Sequence, residues 1–268
     1  MKLAARIESE DNARFKRWKR LALESRAVKK EGATLCEGAH LAQSILAHAA
    51  SVVVNAVMID ARGLSAEAHT LCEALLRHSD APLFELSGAL YAQLSPVEHG
   101  VGLMVEIAVP RGAASAFSGD VLYLDGVQDA GNAGTLIRTA VAAGVKTIVS
   151  SPSAAQLWAP KVLRAGMGAH FGATLIENMP VEAFREAFHG AICVADARGG
   201  EDLFRATNYP ASPTAWVMGA EGPGVSEAAC RVADRRYYIP IEADCESLNV
   251  AAAAAVCLFE QRRRRLTH

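Results

Sequence analysis

The sequence has no long apolar run. None reaches the roughly 18 to 20 residues that a membrane-crossing helix needs, and the stretch from Leu248 to Glu260 is short and Ala-rich. Met1 to Glu10 mixes charges of both signs and lacks the apolar core of a signal peptide. These absences lead us to expect a cytoplasmic protein with no membrane partner. Cys36, Cys72, Cys193, Cys230, Cys245 and Cys257 are scattered, with no pair at the two-residue spacing of metal knuckles and thioredoxin-like sites, so no metal is expected. An even number of cysteines allows a disulfide framework, but such frameworks belong to small secreted domains with poor cores. Free and mostly buried thiols are the expectation, and Cys245, inside a functional-looking loop, reads as a packed or incidental thiol. No glycine repeat, polar tract or Pro-rich stretch signals disorder or a fibre. The chain also lacks a strong net charge: the formal value of -2 excludes the uniformly basic profile of a pure RNA-coating protein.

What is present is a chain of 268 residues, 51% apolar and 21% charged, long enough for two ordinary domains or one large one. Its charge is patchy. Arg14, Lys16, Arg17, Lys19, Arg20, Arg26, Lys29 and Lys30 stand against Glu24, and the chain ends in Arg262, Arg263, Arg264 and Arg265. Each cluster reads as a solvated face, or, with Phe15 and Trp18 interleaved in the first, as a phosphate-backbone contact. Arg14, Lys16, Arg17 and Lys19 are the RNA-binding candidates.

Apolar spacing predicts an amphipathic helix over 11–24, starting at Asp11 or Asn12, with Phe15 and Trp18 as core contacts rather than base-stacking platforms. Strands are expected at Ala33–Cys36, Ser51–Ile59, Leu83–Leu86 and Gly102–Ala108, with helices at Ala39–Ala49, Ser65–Arg77 and Ser87–Leu94. Pro110 to Asp120 is small, polar and turn-rich, as an interdomain linker is. The expected division is 1–110 as one domain, 111–119 as linker and 120–268 as the second domain. In the latter, strands at Val121–Asp125, Thr147–Ser150, Thr174–Ile176, Ile192–Ala195, Thr214–Met218 and Arg236–Ile239 alternate with helical stretches, the last from about Ser247 to Arg264. That alternation predicts an α/β fold with a mostly parallel sheet covered on both faces.

Three loops carry candidate chemistry. The first, Leu124 to Arg138, is a strand running through Gly126, Gly131 and Gly134 into a helix, whose opening N–H groups at Asn132 to Thr135 could meet an anion. It has neither the G-x-G-x-x-G spacing of dinucleotide sites nor the lysine of a P-loop. Asn132 reads as a ligand contact or a helix cap, and Arg138, six residues on, as a site residue or a surface arginine. The second, Val217 to Ser226, leaves a strand through Met218 and Gly219, Gly222 and Gly224 around the carboxylate of Glu221, with Pro223 stiffening it and Ser226 capping the next helix. The third, Ile239 to Val250, presents Ser247, Leu248 and Asn249 at a helix start, suited to holding a ligand or to capping.

Taken in this order, each after a strand, the segments N-A-G-T-L-I-R at 132–138, G-A-E-G-P-G at 219–224 and I-P plus S-L-N-V within 239–250 resemble the three motifs of SpoU-type RNA 2′-O-ribose methyltransferases of the SPOUT superfamily. The resemblance covers about residues 120–262. Ala243 followed by Asp244 stands where that family usually has Gly, and Ala251 replaces a common Ser. Cys36-Glu-Gly-Ala-His40 is similar to a segment of the L30e-like substrate domain of longer members. The resemblance implies a trefoil-knotted methyltransferase domain, a homodimer whose active site borrows residues across its interface, and S-adenosylmethionine as cofactor. It implies a catalytic role for Arg138, with Asn132, Glu221, Ser247 and Asn249 organising it and the substrate. Met218, Gly219, Glu221, Gly222, Ile239, Leu248 and Asn249 would then hold the cofactor, the glycines offering it bare backbone.

A guanidinium keeps its proton at neutral pH and is a poor base, so Arg138 would stabilise the forming alkoxide or position a phosphate. The two-domain layout points to ribosomal RNA of the 23S type, with transfer RNA as the alternative. A catalytically silent knotted RNA-binding protein is the rival from another class, and an oxidoreductase or phosphotransferase lacks its expected glycine pattern.

Overall fold

The computed structural model describes residues 1–95, 97, 100–110, 117, 119–211 and 213–266. The expected linker 111–119 lies largely outside them. In chain order the first elements are β1 (Leu3–Ile7), α1 (Ala13–Leu23), α2 (Ser25–Glu31), β2 (Ala33–Glu37), α3 (Ala39–Ala47), β3 (Val54–Asp60), α4 (Ala66–His78), β4 (Leu83–Leu86), α5 (Gly88–Leu94) and β5 (Leu103–Ala108). There follow β6 (Val121–Asp125), α6 (Ala130–Ala142), β7 (Thr147–Ser150), α7 (Pro160–Gly166), β8 (Thr174–Ile176), α8 (Val181–Ala187), β9 (Ala191–Ala195), β10 (Glu201–Asp202), β11 (Thr214–Gly219), α9 (Glu227–Val232), β12 (Arg235–Tyr238) and α10 (Val250–Leu266). The chain divides into two compact units, Met1–Pro110 with Trp158–Phe171, and Arg111–Leu157 with Gly172–His268.

The first unit holds a five-stranded sheet in the order β1-β4-β3-β5-β2, parallel from β1 to β3 and antiparallel beyond. Asn12 starts α1 by accepting from the N–H groups of Arg14 and Phe15 at 2.9 and 3.3 Å. Phe15, Trp18 and Leu21 recur on one helix face and are buried, so the two aromatics are core contacts, as their spacing predicts. The Trp18 indole N–H donates to Glu106 at 2.7 Å, and that carboxylate, 4% exposed on β5, also accepts from Arg17 at 2.8 Å and Asn55 at 3.2 Å. Trp158–Phe171 groups with this unit because Thr34 Oγ1 on β2 donates to the Trp158 carbonyl at 2.7 Å and α7 packs on β2.

The second unit is built on a seven-stranded, wholly parallel sheet in the order β10-β12-β9-β11-β6-β7-β8. Alternate residues divide between its faces. Val121, Tyr123, Ile192, Val194, Ala215 and Val217 pack with Phe184 and Phe188, around α8, and with Ala229 on α9. Trp216, on the other face, donates from its indole to Gln261 of α10 at 2.8 Å. With both faces covered, β11 is buried along its whole length, the usual state of parallel strands. Among the described residues no helix is long and apolar enough to cross a membrane. All six cysteines are free, four of them buried, and burial pushes the Cys36, Cys193 and Cys257 thiols up, which makes them poor nucleophiles.

Differences from expectation lie at boundaries and edges. The strand expected from Ser51 begins at Val54, and the last helix starts at Val250 because Asn249 serves as its cap. The edge strand β1 and the helix α2 were not anticipated. Four of the five residues of β1 are exposed, so no buried stripe marks it. The C-terminal arginines are internal anchors rather than a free phosphate-binding patch. Arg262 donates to the Ala143 carbonyl, Arg264 to those of Leu203 and Ala206, and Arg265 pairs with Asp120. Hydrogen bonds from Arg263 and then Arg264 pull the Glu260 pKa down to about 2.

Removing the Glu106 carboxylate would leave the buried Trp18 N–H without its acceptor and take from Arg17 one of its two carboxylate partners. Glu106→Ala should therefore destabilise the first unit by about 2 to 3 kcal/mol, read as a lowered urea midpoint followed by tryptophan fluorescence. A loss within about 0.5 kcal/mol, the scale of an ordinary surface substitution, would remove Glu106 from the supports of this fold.

Candidate active site

Every strand of a parallel sheet ends on the same edge, and ligands of open α/β sheets bind beyond those carboxyl ends. Here the loops leaving β9, β11 and β12 enclose a cavity of about 490 Å³. The β11 loop is set by its backbone. Ala220 and Gly224 exchange N–H···O=C bonds of 3.1 and 3.0 Å, closing a tight turn in which Gly222 and Gly224 take φ of +82° and +73°. Gly219 is needed for a different reason: a Cβ there would stand 2.2 Å from the Gly224 carbonyl carbon and the Val225 nitrogen. Crowding within the loop itself thus requires glycine at this position, which also lines the cavity. Asp125, at the end of β6, accepts from the Ser226 N–H at 2.7 Å, and Ser226 caps α9 through Ala229 at 3.1 Å.

The three motifs meet at one carboxylate. Asn132 Nδ2 donates to Glu221 Oε1 in a short hydrogen bond, while Asn249 Nδ2 donates to Asn132 Oδ1 at 3.0 Å and to Glu221 Oε1 at 3.3 Å. Asn249 Oδ1 in turn accepts from the Ala251 N–H at 2.9 Å and so caps α10. Asn132 is not the cap of α6. Asp129 is, and it accepts from the Asn132 N–H at 2.7 Å, so the N–H groups expected to be open at this helix start are partly taken.

All seven residues assigned to the cofactor line the cavity, and Ser247 lines it with them. Asn132 reaches it through Glu221. Arg138 does not: it is exposed on α6, is absent from the lining, and makes no hydrogen bond or ion pair with the described residues. Helix geometry accounts for this, since six residues carry a side chain about 9 Å along the axis and roughly 120° around it. The cavity wall also contains a segment that sequence reasoning missed, Ala195 to Arg198 after β9. Its signal was a strand running into Asp-Ala-Arg-Gly-Gly, the strand-to-turn pattern of the other loops without their glycine density. Asp196 is buried. Burial raises its pKa, but hydrogen bonds from Arg198 and the charges of Arg198 and Arg236 outweigh this and hold it below the usual carboxylate range.

The basic residues of α1 are engaged in the first unit. Lys16 pairs with Asp11 at 2.8 Å, Lys19 donates to Gln93 at 2.6 Å, and Arg14 lies over the Phe84 ring at 5.1 Å. Arg17 is held by Glu31 at 2.5 Å and by Glu106.

Residues 120–259 match the model of the SpoU rRNA Methylase family. The chain belongs to the SpoU family. Over 258 residues it is 29% identical to a Bacillus subtilis 23S rRNA (guanosine(2553)-2′-O)-methyltransferase, RlmP, covering 96% of this chain and 98% of the relative. The SpoU methyltransferase AviRb from Streptomyces viridochromogenes, crystallised with S-adenosylmethionine, superposes with a TM-score of 0.83 at 25% identity, covering 96% of this chain and 99% of that one. An rRNA methyltransferase from Sinorhizobium meliloti, at 20% identity and a TM-score of 0.81 over 97% of each chain, shares the fold. As a SpoU protein this chain is an S-adenosylmethionine-dependent RNA 2′-O-methyltransferase, as its motifs implied.

The cavity fits that cofactor. Its volume lies in the range of small-molecule sites, Met218, Ile239 and Leu248 offer apolar surface, and the glycine loop exposes backbone donors and acceptors. Gly219→Ala should abolish binding of S-adenosylhomocysteine in calorimetry, because the loop must open to admit the methyl. Gly222→Ala meets no atom within 4 Å and carries only the cost of its positive φ, about 1 to 2 kcal/mol, so binding should survive with weakened affinity. Equal affinities for both variants and the wild type would take this loop out of the cofactor site.

Proposed function

We propose that this SpoU protein methylates the 2′-hydroxyl of a ribose in large-subunit ribosomal RNA, of the 23S type. The observation that carries the reading is the meeting of Asn132, Glu221 and Asn249, one from each motif, beside the cavity that fits the cofactor. The substrate is supported by the full-length match to RlmP, whose name specifies a guanosine of 23S rRNA. S-adenosylmethionine, when bound, supplies an electrophilic methyl group on a sulfonium. The chain must hold the ribose oxygen in line with it and ease loss of a proton from a weakly acidic alcohol. We assign Glu221, Asn132, Ser247 and Asn249 to positioning, and the stabilisation of negative charge on the oxygen to Arg138.

Arg138 stands exposed and without a protein partner among the described residues, away from the cavity lining of its own chain. This supports a homodimer in which it serves the cavity of the second copy. The trefoil knot, an L30e-like character for 1–110 and a cytoplasmic location belong to the same reading. The mixed α/β layout of the first unit and the motif at Cys36–His40 support its role as the part that grips RNA.

Comparing 2′-O-methylation across total RNA from cells with and without the protein tests the substrate. A site lost from large-subunit rRNA is expected, and a site lost from transfer RNA would replace that reading. Arg138→Ala should slow single-turnover methylation about 100-fold or more, with S-adenosylhomocysteine affinity intact. Mixed with Gly219→Ala protein, it should regain activity up to about a quarter of wild type, since half the re-sorted dimers pair one intact cavity with one intact arginine. A near-normal single-turnover rate for Arg138→Ala would end its catalytic assignment.

The α1 residues divide by their partners. The exposed pairs of Lys16 and Lys19 cost little to exchange for phosphate, whereas Arg17 is tied to the well-shielded carboxylates of Glu31 and Glu106. Replacing Arg14, Lys16 and Lys19 by Gln should weaken RNA binding and lower its salt slope by about one per lost phosphate contact. Arg17→Gln should act chiefly on stability. An unchanged slope in the triple variant would make α1 a solvated face.

A further inference from the structure

Three charged side chains line the cavity: Asp196, Arg198 and Glu221. Glu221 takes hydrogen bonds from Asn132 and Asn249. Asp196 accepts from Arg198 Nε at 3.0 Å and lies 2.6 Å from Arg236 Nη2, so one carboxylate is shared by two guanidinium groups and the trio carries a net positive charge. Arg198 is the one cation among the described lining residues.

Its orientation is fixed from two sides. Nε and Nη2 donate to the two oxygens of Asp196 at 3.0 and 3.4 Å, and Nη2 also donates to the Val225 carbonyl at 3.0 Å, next to the glycine loop. An arginine has five N–H donors, and the two on Nη1 have no hydrogen-bond partner among the described residues. The side chain is 58% exposed, so these donors remain accessible. A planar fork already locked in place, with spare donors at a cavity wall, suits a carboxylate better than a mobile lysine would.

We propose that Arg198 binds the α-carboxylate of the methionine part of S-adenosylmethionine. The proposal rests on reading the cavity as the cofactor site. An RNA phosphate is the competing anion. The carboxylate is favoured because it enters this cavity with every cofactor molecule, where the remaining acids are already neutralised or hydrogen-bonded and no other described lining residue carries a charge.

The test compares two ligands, S-adenosylhomocysteine and its decarboxylated counterpart, against wild type, Arg198→Gln and Arg198→Lys by calorimetry. Wild type should bind the decarboxylated ligand about tenfold or more weakly, the scale of one charged hydrogen bond. Arg198→Gln should weaken S-adenosylhomocysteine by a similar factor and leave the decarboxylated ligand unchanged, which also shows that the variant is folded. Arg198→Lys should fall between them. Equal weakening of both ligands would reduce Arg198 to a brace on Val225 and overturn the proposal. So would unchanged S-adenosylhomocysteine affinity with weakened RNA binding, which would hand the arginine to a phosphate. Failure of wild type to bind either ligand would instead sink the cofactor reading of the cavity.

Discussion

One carboxylate oxygen, Oε1 of Glu221, receives hydrogen bonds from Asn132 and Asn249, and the site depends on that meeting. The three residues come from the first turn of α6 and from the loops that follow β11 and β12, and Asn132 and Asn249 are 117 positions apart in the chain. Each residue is substantially open to solvent, so each bond on its own contributes modestly to stability. Their joint effect is on geometry. A carboxylate that accepts from two amides has few orientations left, and an amide that both accepts and donates cannot flip without breaking a bond. On the proposed reading the site is ordered before RNA arrives, which would lower the entropy cost of assembling it around a reacting hydroxyl.

The parallel sheet makes that meeting possible. Because β9, β11, β6 and β12 all run the same way, the segments that leave them open onto one edge, and the helices that follow begin there. Their starts are closed by side chains: Asp129 caps α6, Ser226 caps α9 and Asn249 caps α10. These caps take N–H groups that could otherwise attract an anion, and Arg198 is the one cation among the described residues that line the cavity at this edge. The glycine loop adds the second constraint. With its own backbone packed against Gly219, it admits no side chain there, and its shape is held from behind by Asp125 on Ser226.

Charge illustrates how pairing changes the meaning of composition. The four C-terminal arginines look like a nucleic-acid patch as a run of letters, yet Arg262, Arg264 and Arg265 pin α10 to carbonyls and an acid of its own unit, and Arg263 pairs with Glu260 on the same helix. In α1 the same type of residue divides. Arg17 is bound into the support around Glu106, whereas Lys16 and Lys19 hold loose surface partners that a phosphate can displace. A basic count says nothing about which of these states a residue occupies.

Much of this protein was legible in its sequence because the deciding interactions are local. Alternation and helical spacing are properties of a few neighbouring residues, and β4, β6, β7 and β8 occupy the stretches their patterns mark. Asn12 and Ser226 cap the helices that follow them for the same reason. The three motifs, in order, were enough to name the family and its cofactor. Tertiary structure alone decided what depends on partners distant in the chain. It joined Asn132 to Glu221 and Asn249, turned Arg138 away from the cavity of its own chain, and drew Asp196 and Arg198 into a wall that no motif announced. It also gave Gly219 its reason, since the atoms that forbid a side chain there belong to a turn that folds back on itself. Pairing across a sheet and the closing of a loop are settled by which surfaces meet, and spacing along the chain does not contain that information.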